Sequence, residues 1–295
     1  MEVSFVGICS IDLYSRCSRL PNIGETIHGI GLNRGFGGKA SNACAQFAFL
    51  CDNSTKPKLL TCVGKDSSGK EIQEHFEKIG IKSELIQISE SVPTGLAICF
   101  VLDKGQSAIV IHPCPVTLEM VHQNAENLRK SKIVVTNFEI PVDVALETLK
   151  ISQEGGATTI LNVSPIPSNV ELSLFANATI VIVNEVELKC IGSVEQLYDQ
   201  GVKCVVVTLG SEGAIVHEKG KEPVPIPTVQ VEAVDTTGAG DSFLGTFSYC
   251  LSKNLSIVDS AKVACVAASI SVQSIGTQQS YPHFDHPQLI PILPK

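Results

Sequence analysis

A glycine-rich turn between two carboxylates is the segment of this 295-residue chain best suited to chemistry. It reads Asp235-Thr236-Thr237-Gly238-Ala239-Gly240-Asp241 and leads directly into an apolar, helical stretch. Small residues let backbone N–H groups approach a phosphate closely, and the N-terminus of the following helix adds partial positive charge. Asp241, beside that anion site, is placed to accept the proton of an attacking hydroxyl. The segment indicates phosphoryl transfer, with a plain tight turn and a capping Asp as the alternative.

Three other segments place polar or flexible residues at the ends of apolar runs. A Gly37-Gly38-Lys39 turn precedes a helical stretch, an Asn-x-x-Glu element follows the run ATIVIV, and a Thr-Leu-Gly turn follows VKCVVV. Taken singly, these are typical of a strand-to-helix turn, a capping box and a hairpin turn. The chain has no GxxxxGK(S/T) motif, so a P-loop is excluded and a nucleotide must be held differently.

Short β-branched runs alternate with helical stretches from about residue 132 onward. The runs are KIVVTNF, ATTILNV, ATIVIVN and VKCVVVTLG, and a helical stretch fills residues 141–153 between the first two. Strands buried on both faces read as continuous apolar runs, and helical crossovers between them require parallel pairing. The pattern predicts an α/β fold with a doubly wound, mostly parallel sheet.

The first 112 residues also contain strands that stand outside this alternation. Residues 25–35 alternate apolar and polar side chains, and TGLAICFVLD, a Lys104-Gly105 turn and SAIVIH are typical of a hairpin. We expect a small β flap, or lid, built from about residues 12–36 and 95–111 on a single domain spanning 1–295. Such a lid closes a site and excludes water, which competes with the acceptor in phosphoryl transfer.

Charge and hydropathy exclude several classes of protein. The formal net charge is -8 and no cluster of Lys and Arg stands out, so we expect no nucleic-acid partner. The N-terminus lacks the pattern of a signal peptide, and no apolar run approaches the ~18 residues of a membrane span. We expect a soluble, cytoplasmic protein, with passage into the nucleus left open. The 11 cysteines form no CxxC pair, which disfavours a zinc site and favours small apolar core residues.

The glycine-rich segments together resemble the signatures of the ribokinase-like sugar kinases, the PfkB carbohydrate kinase family. VDTTGAGDSF resembles the C-terminal signature, and GFGGKASNA, with GETIHG before it, resembles the first. The resemblance covers nearly the whole chain. It implies a three-layer α/β sandwich around a mostly parallel sheet, a small β lid, and a kinase that uses ATP.

The same resemblance assigns roles residue by residue. It implies Asp241 as the catalytic base and the amides of Gly238, Ala239 and Gly240 as stabilisers of the transferring phosphoryl group. The implied sugar contacts are Asp12, Gly38, Lys39, Asn42, Glu139 and Asp241. Carboxylate and amide groups suit a furanose, because they pair with several hydroxyls in fixed geometry. The implied nucleotide contacts are Asn184, Thr208, Gly210, Gly213 and Gly240.

Two cations are also implied by the family pattern. Glu187 of the Asn-x-x-Glu element organises Mg²⁺ through water near the phosphates. The run SIGTQQSYP resembles the ribokinase branch, in which this loop and the start of the Asp235 segment hold K⁺. The implied K⁺ residues are Asp235, Thr237, Ser271, Ser274, Gly276 and Ser280.

The stretch His112-Pro113-Cys114-Pro115 departs from the family, which usually carries Gly-Ala-Asn there. Two prolines must reshape this loop, so the lid contact with the sugar is open to change. We interpret His112 and Cys114 as an incidental pair rather than metal ligands. Ser10 precedes Asp12 by two positions, near the expected sugar 2-position, which leaves the choice between ribose and 2-deoxyribose open.

The combined expectation is an ATP-dependent kinase of the 5-hydroxyl of D-ribose, assembled as a homodimer through the lid. GETIHG and SIGTQQS are the segments that favour ribose. The alternatives are another acceptor such as 2-deoxyribose, fructose or adenosine, a non-catalytic sugar or nucleotide sensor, and a structural dimer. An intact Asp241 argues against the sensor, which needs no base.

Overall fold

A central sheet of mostly parallel strands organises the molecule. The computed structural model describes residues 2–51, 56–102 and 107–294, and within them this sheet has the order β13-β12-β11-β10-β9-β8-β1-β4-β5. Its strands are β1 Val3–Val6, β4 Lys58–Gly64, β5 Ile86–Ser89, β8 Ile133–Asn137, β9 Thr158–Asn162, β10 Ile180–Asn184, β11 Cys204–Thr208, β12 Ala214–Glu218 and β13 Val224–Ile226. In this sheet order, every pair of neighbours between β11 and β5 is parallel, and β12 and β13 add an antiparallel edge.

Helices cover both faces of this sheet. In chain order they are α1 Lys39–Leu50, α2 Ser67–Ile79, α3 Leu118–Gln123, α4 Ala125–Lys130, α5 Val142–Glu154, α6 Glu185–Ile191, α7 Val194–Asp199, α8 Ala239–Ser252 and α9 Ile257–Ser271. None of the helices in the described ranges is long and apolar enough to cross a membrane.

Alternating side chains of the strands divide the core into two layers. In β8, Val135 packs into the cluster shared with α1, α2, α8 and α9, whereas Val134 packs into the cluster shared with α3 to α7. Ile182 and Val181 of β10 divide in the same way. Strands buried on both faces need apolar residues at every position, which is why these runs read as continuous valine and isoleucine. The predicted α/β sandwich is confirmed.

A second, four-stranded sheet lies over one end of the main sheet. Its order is β3-β2-β6-β7, and its strands are β2 Ser10–Arg16, β3 Gly31–Gly37, β6 Leu96–Val101 and β7 Ser107–His112. We call this sheet the lid. The β2–β3 and β6–β7 pairs are antiparallel, and β2 and β6 pair in parallel. The Lys104-Gly105 turn predicted from the sequence lies outside the described residues.

Strand order changes direction beside β1, and this places the lid next to the loops that follow β1 and β8. The chain runs from β1 into the lid and α1, then to β4 on one side, whereas β8 pairs on the other side. Open α/β sheets bind ligands at such a switch point, outside the carboxyl ends of the strands.

Most of the 11 cysteines are buried. Cys51 is half-buried, Cys190 on α6 is exposed, and the others are buried. Burial raises the pKa of the Cys250 and Cys265 thiols to about 12. These side chains act as small apolar groups in the core.

Candidate active site

The N-terminus of α8 is built by a left-handed glycine. Gly238 has φ 76°, and its carbonyl accepts a hydrogen bond of 3.0 Å from the Tyr281 hydroxyl. A Cβ at this position would lie 2.5 Å from that hydroxyl oxygen, so only glycine fits. The Ala239 N–H donates to the Thr236 carbonyl at 3.3 Å, and Gly240 faces open space. The helix end is therefore exposed to a ligand at Gly240.

Asp241 lies in the first turn of α8 and is 5% exposed. Its Oδ2 accepts a 2.9 Å hydrogen bond from Asn42 Nδ2 on the first turn of α1. Burial raises the pKa of the Asp241 carboxyl, and the Lys39 charge and the Asn42 bond oppose that rise. The sequence separation of 199 residues is closed by packing of α1 against α8.

The N-terminus of α1 meets a carboxylate of the protein itself. Gly38 precedes it with φ 92°, where a Cβ would lie 2.4 Å from the Ile8 carbonyl oxygen. The Lys39 N–H donates to Glu139 Oε2 at 2.7 Å. Burial raises the pKa of Glu139 to about 7, against the lowering effect of Lys39. Glu139 follows β8, so the switch point supplies this group.

Asp12 projects from the lid strand β2 and is buried. Ser10 Oγ donates to its Oδ1 at 2.7 Å, and the Tyr14 hydroxyl donates to its Oδ2 at 3.0 Å. Burial raises the pKa of Asp12, and these two hydrogen bonds lower it. Each carboxylate oxygen still has a second lone pair for a ligand.

Three adjoining cavities connect these groups. We name them the lid cavity, about 510 Å³, the turn cavity, about 230 Å³, and the edge cavity, about 310 Å³. The lid and turn cavities share Lys39, Gly238 and Asp241. The turn and edge cavities share Thr208, Thr236 and Gly240. Asp241 therefore lies where the first two cavities meet.

The predicted sugar and nucleotide residues divide among these cavities. The lid cavity is lined by Asp12, Gly38, Lys39, Asn42, Glu139 and Asp241. The turn cavity adds Asn184 and Glu187, and the edge cavity contains Thr208, Gly210, Gly213 and Gly240. The arrangement can hold an acceptor, a phosphate chain and an apolar base in three successive cavities.

Asn184 and Glu187 form a capping box at the start of α6. Asn184 Oδ1 accepts from the Glu187 N–H at 2.8 Å, and Glu187 Oε2 accepts from the Asn184 N–H at 2.9 Å. Glu187 is 7% exposed and lines the turn cavity. The capping-box geometry leaves Oε1 without a role in the cap, and a carboxylate oxygen suits Mg²⁺ or its water shell.

The segments predicted to hold K⁺ are joined through Asp235. Its Oδ1 accepts from the Thr237 N–H and its Oδ2 from the Gly276 N–H, both at 2.9 Å. Ser280 Oγ donates to the Gly276 carbonyl at 3.0 Å. Ser271 Oγ donates back into α9, to the Ala268 carbonyl. Ser274 lines a separate cavity together with Ser280.

Residues 112–115, which differ from the usual family sequence, place their side chains in different environments. His112 is exposed, whereas Cys114 is fully buried, so the two side chains lie in different environments. Pro113 lines the lid cavity beside Ile109 and Ile111. The lid therefore presents an apolar row of side chains to this cavity, on the same sheet face that carries Asp12.

Sequence reasoning missed several residues of the site. Asn162 lines the turn cavity from the end of β9, and its place after an apolar run, like that of Asn184, is a signal that could have revealed it. Tyr14 and Tyr281 act through hydrogen bonds to Asp12 and Gly238. No local pattern marks either tyrosine.

Comparison with known proteins gives a consistent family assignment. The model of the pfkB family carbohydrate kinases matches residues 1–283. A ribokinase from Mus musculus is 36% identical over 304 aligned positions, which cover 95% of this chain and 92% of that protein.

Solved structures match over almost the full length. A ribokinase from Thermotoga maritima has a TM-score of 0.88 at 29% identity and covers 98% of both chains. An Arabidopsis thaliana ribokinase complexed with ribose and ATP has a TM-score of 0.86 at 27% identity, covering 98% of this chain and 97% of that one.

Proposed function

Because the chain belongs to the pfkB family of carbohydrate kinases, we propose that it transfers the γ-phosphate of ATP to the 5-hydroxyl of D-ribose. One observation carries the proposal: Asp241, a buried carboxylate, lies where the lid cavity meets the turn cavity. Ribose is favoured as the acceptor by the ribokinases of mouse, Thermotoga and Arabidopsis that the chain is similar to. We treat residues 1–295 as one kinase domain with the lid as its flap.

The acceptor sugar binds in the lid cavity. Asp12 and Glu139 accept hydrogen bonds from the ring hydroxyls, while Lys39 and Asn42 donate to them. Asp241 accepts the proton of the 5-hydroxyl as that oxygen attacks phosphorus. Lys39, whose pKa is raised chiefly by the Asp241 charge, keeps a positive charge beside the reacting groups.

The phosphate chain of ATP lies in the turn cavity, against the open N-terminus of α8. The amides of Gly238 and Gly240 and the helix dipole stabilise negative charge on the transferring phosphoryl group, and the Ala239 N–H would join them by exchanging its 3.3 Å bond to the Thr236 carbonyl for one to the phosphoryl group. The adenine base lies in the edge cavity, where Val229, Phe243 and Ala268 supply apolar surface beside Gly210 and Gly213.

Two cations complete the proposal. Oxygen donors suit both of them: Glu187 with Asn184 would hold Mg²⁺ through water, and Mg²⁺ neutralises charge on phosphate oxygens. Asp235, Thr237, Ser271, Ser274, Gly276 and Ser280 would hold K⁺. The Asp235 bond to Gly276 supports this assignment, since it holds the two contributing segments together.

The first experiment measures ADP release with Mg-ATP and K⁺ for ribose, 2-deoxyribose, fructose and adenosine. We expect ribose-dependent turnover whose kcat falls ~10²-fold or more in Asp241→Asn, with folding intact by circular dichroism. ³¹P NMR of the product identifies the phosphorylated hydroxyl. Ribose turnover that survives Asp241→Asn contradicts the assigned base, and turnover with another acceptor alone discards ribose.

A second acceptor, 2-deoxyribose, is favoured by the apolar lid face. The lid cavity is lined in part by Ile109, Ile111 and Cys99. A polar side chain left unpaired by the missing 2-hydroxyl would disfavour 2-deoxyribose, whereas an apolar surface imposes no such cost. The ratio of kcat/KM for ribose and 2-deoxyribose measures the preference.

A homodimer through the lid is part of the proposal. Leu32 and Val110 on the outer face of the lid are 72% and 51% exposed. Apolar side chains of this size on an exposed sheet favour association with a second copy. Analytical ultracentrifugation of Leu32→Glu against the native chain tests it.

A further inference from the structure

A chain of hydrogen bonds runs from the catalytic carboxylate to a histidine outside the cavities described above. Asn42 Nδ2 donates to Asp241 Oδ2 at 2.9 Å, and Gln278 Nε2 donates to Asn42 Oδ1 at 3.0 Å. Gln278 Oε1 is 2.8 Å from His75 Nε2 on α2. Asn42 and Gln278 are 4% and 5% exposed, so water does not compete for these groups.

The direction of every bond follows from Asp241. An ionised carboxylate only accepts, so Asn42 must present its NH₂ group to Asp241 and its oxygen to Gln278. Gln278 must then present its NH₂ group to Asn42, which leaves its oxygen facing His75. His75 completes the chain by donating from Nε2. Gln278 Nε2 also donates to Ser41 Oγ at 3.1 Å, a contact compatible with this orientation because a hydroxyl can accept as well as donate.

The far end of the chain is fixed by packing. The His75 ring stacks on Phe36 of the lid strand β3, with ring centres 3.8 Å apart and planes within 5°. Burial lowers the pKa of His75, so its ring is neutral near pH 7 and has one N–H to donate. Lys78 and Glu71 are the charged groups that act on it.

We propose that Gln278 is a positioning residue for the phosphoryl transfer, which holds the Asn42 amide with its NH₂ group toward Asp241, and that His75 fixes Gln278 in turn. This role rests on the proposed function of Asp241 as the base. Without Gln278, the Asn42 amide can rotate and place its oxygen against the carboxylate. The ionised form of Asp241 then loses a donor and gains repulsion.

Gln278→Glu tests the proposal, because the two side chains have the same shape and the carboxylate cannot donate to Asn42 Oδ1. The control is Gln279→Glu, which adds the same charge to the neighbouring, exposed glutamine that bonds only to the Ile275 carbonyl among the described contacts. Gln278→Met supplies a neutral side chain of equal length with no donor. His75→Phe keeps the stacking on Phe36 and deletes the N–H.

The primary measurement is the pKa of Asp241 in the ligand-free protein, followed by ¹³C NMR of its carboxyl carbon and assigned with Asp241→Asn. The other titratable groups that act on or with Asp241 are Lys39, Asp12, Glu139 and Tyr281. We expect a rise of about one pH unit in Gln278→Glu, a smaller rise in Gln278→Met and His75→Phe, and none in Gln279→Glu.

Kinetics supply the second measurement. In Gln278→Glu we expect kcat to fall ~10- to 100-fold with a smaller change in KM. The acid limb of the pH profile of kcat should move to higher pH, because the pKa of Asp241 rises. A rise in the pKa in Gln278→Glu but not in the two neutral variants would mean a charge effect and overturn the proposal. If Gln278→Glu does not fold, the pKa of Asp241 measured in Gln278→Met and His75→Phe decides the proposal. A native chain without ribose turnover refutes the proposed function, whereas the NMR titration still tests the orientation of Asn42.

Discussion

The N-termini of α1 and α8 are built alike and filled differently. Each follows a glycine with positive φ, Gly38 and Gly238, and each carries a polar residue of the site in its first turn. At α1 the first N–H is bonded to the Glu139 carboxylate. At α8 the first N–H, that of Ala239, donates to the Thr236 carbonyl, but the next residue, Gly240, lines the turn cavity with no side chain in front of it. Both ends attract anions through the helix dipole, but only one remains available. This difference is why we propose the phosphate site at α8 and not at α1.

Closing the open end should have the largest effect. Gly240→Asp places a carboxylate at the N-terminus of α8, as Glu139 does at α1, and the open space around Gly240 lets the variant fold. Repulsion between this charge and the phosphates should raise the KM for ATP ~10²-fold. Steady-state kinetics against Gly240→Asn, a neutral variant of the same shape, measure the effect. Equal KM values in the two variants contradict the assignment of the phosphate site.

Removing the charge of Glu139 at the α1 end should have an intermediate effect. It should weaken ribose binding but stabilise the ligand-free protein. Burial raises the pKa of Glu139 from 4.5 to about 7, so the stabilising protonated form is lost as pH rises through about 7. Glu139→Gln should therefore stabilise the ligand-free protein at pH 8 by about 1–2 kcal/mol in urea unfolding, and raise the KM for ribose ~10-fold.

The same variant should also change the pH profile. In the native chain we expect kcat/KM for ribose to increase as pH rises through about 7, where Glu139 ionises, and this limb should be absent in Glu139→Gln. Glu154→Gln, at the exposed end of α5, is the matched control and should leave both stability and profile as they are. A Glu139→Gln variant that loses stability at pH 8 refutes the claim that burial of the ionised Glu139 destabilises the protein.

A third helix end, that of α6, should give the smallest effect. Glu187 lies there in a capping box, and a glutamine preserves that box. Glu187→Gln should change the free energy of unfolding by less than about 0.5 kcal/mol and raise the Mg²⁺ concentration for half-maximal activity ~5-fold. Asn184→Ala, which breaks the cap, should cost about 1 kcal/mol. Glu187→Gln with unchanged Mg²⁺ dependence leaves the glutamate with a capping role alone.

Features that depend on local pattern could be predicted from the sequence. β8 to β11 are buried on both faces, so their valines and isoleucines mark them, and the two glycine-rich turns mark the helix ends. Groups of the site at or just after the end of a strand, such as Glu139 and Asn184, could be found from their positions, whereas Asp12 lies within lid strand β2.

Features that depend on contacts between distant segments could not. His75 and Gln278 are 203 residues apart, and although Gln278 lies in the SIGTQQS run, nothing in that run or around His75 points to the other residue. The filling of the α1 end by Glu139, 100 residues from Lys39, is equally invisible to a reading of either segment. Only the packing of α1, α2 and the loop after α9 brings these side chains into one chain of bonds.

The distribution of thiols makes selective chemical labelling practical. Cys190 is exposed on α6, while the other cysteines are buried or half-buried, so a maleimide dye at stoichiometric amount should react there first. Asn184 caps α6 and Glu187 lies in its first turn, both lining the turn cavity, so the dye sits one short helix away from the proposed phosphate site. A fluorophore at this position offers an optical signal for nucleotide arrival and departure without any engineered cysteine.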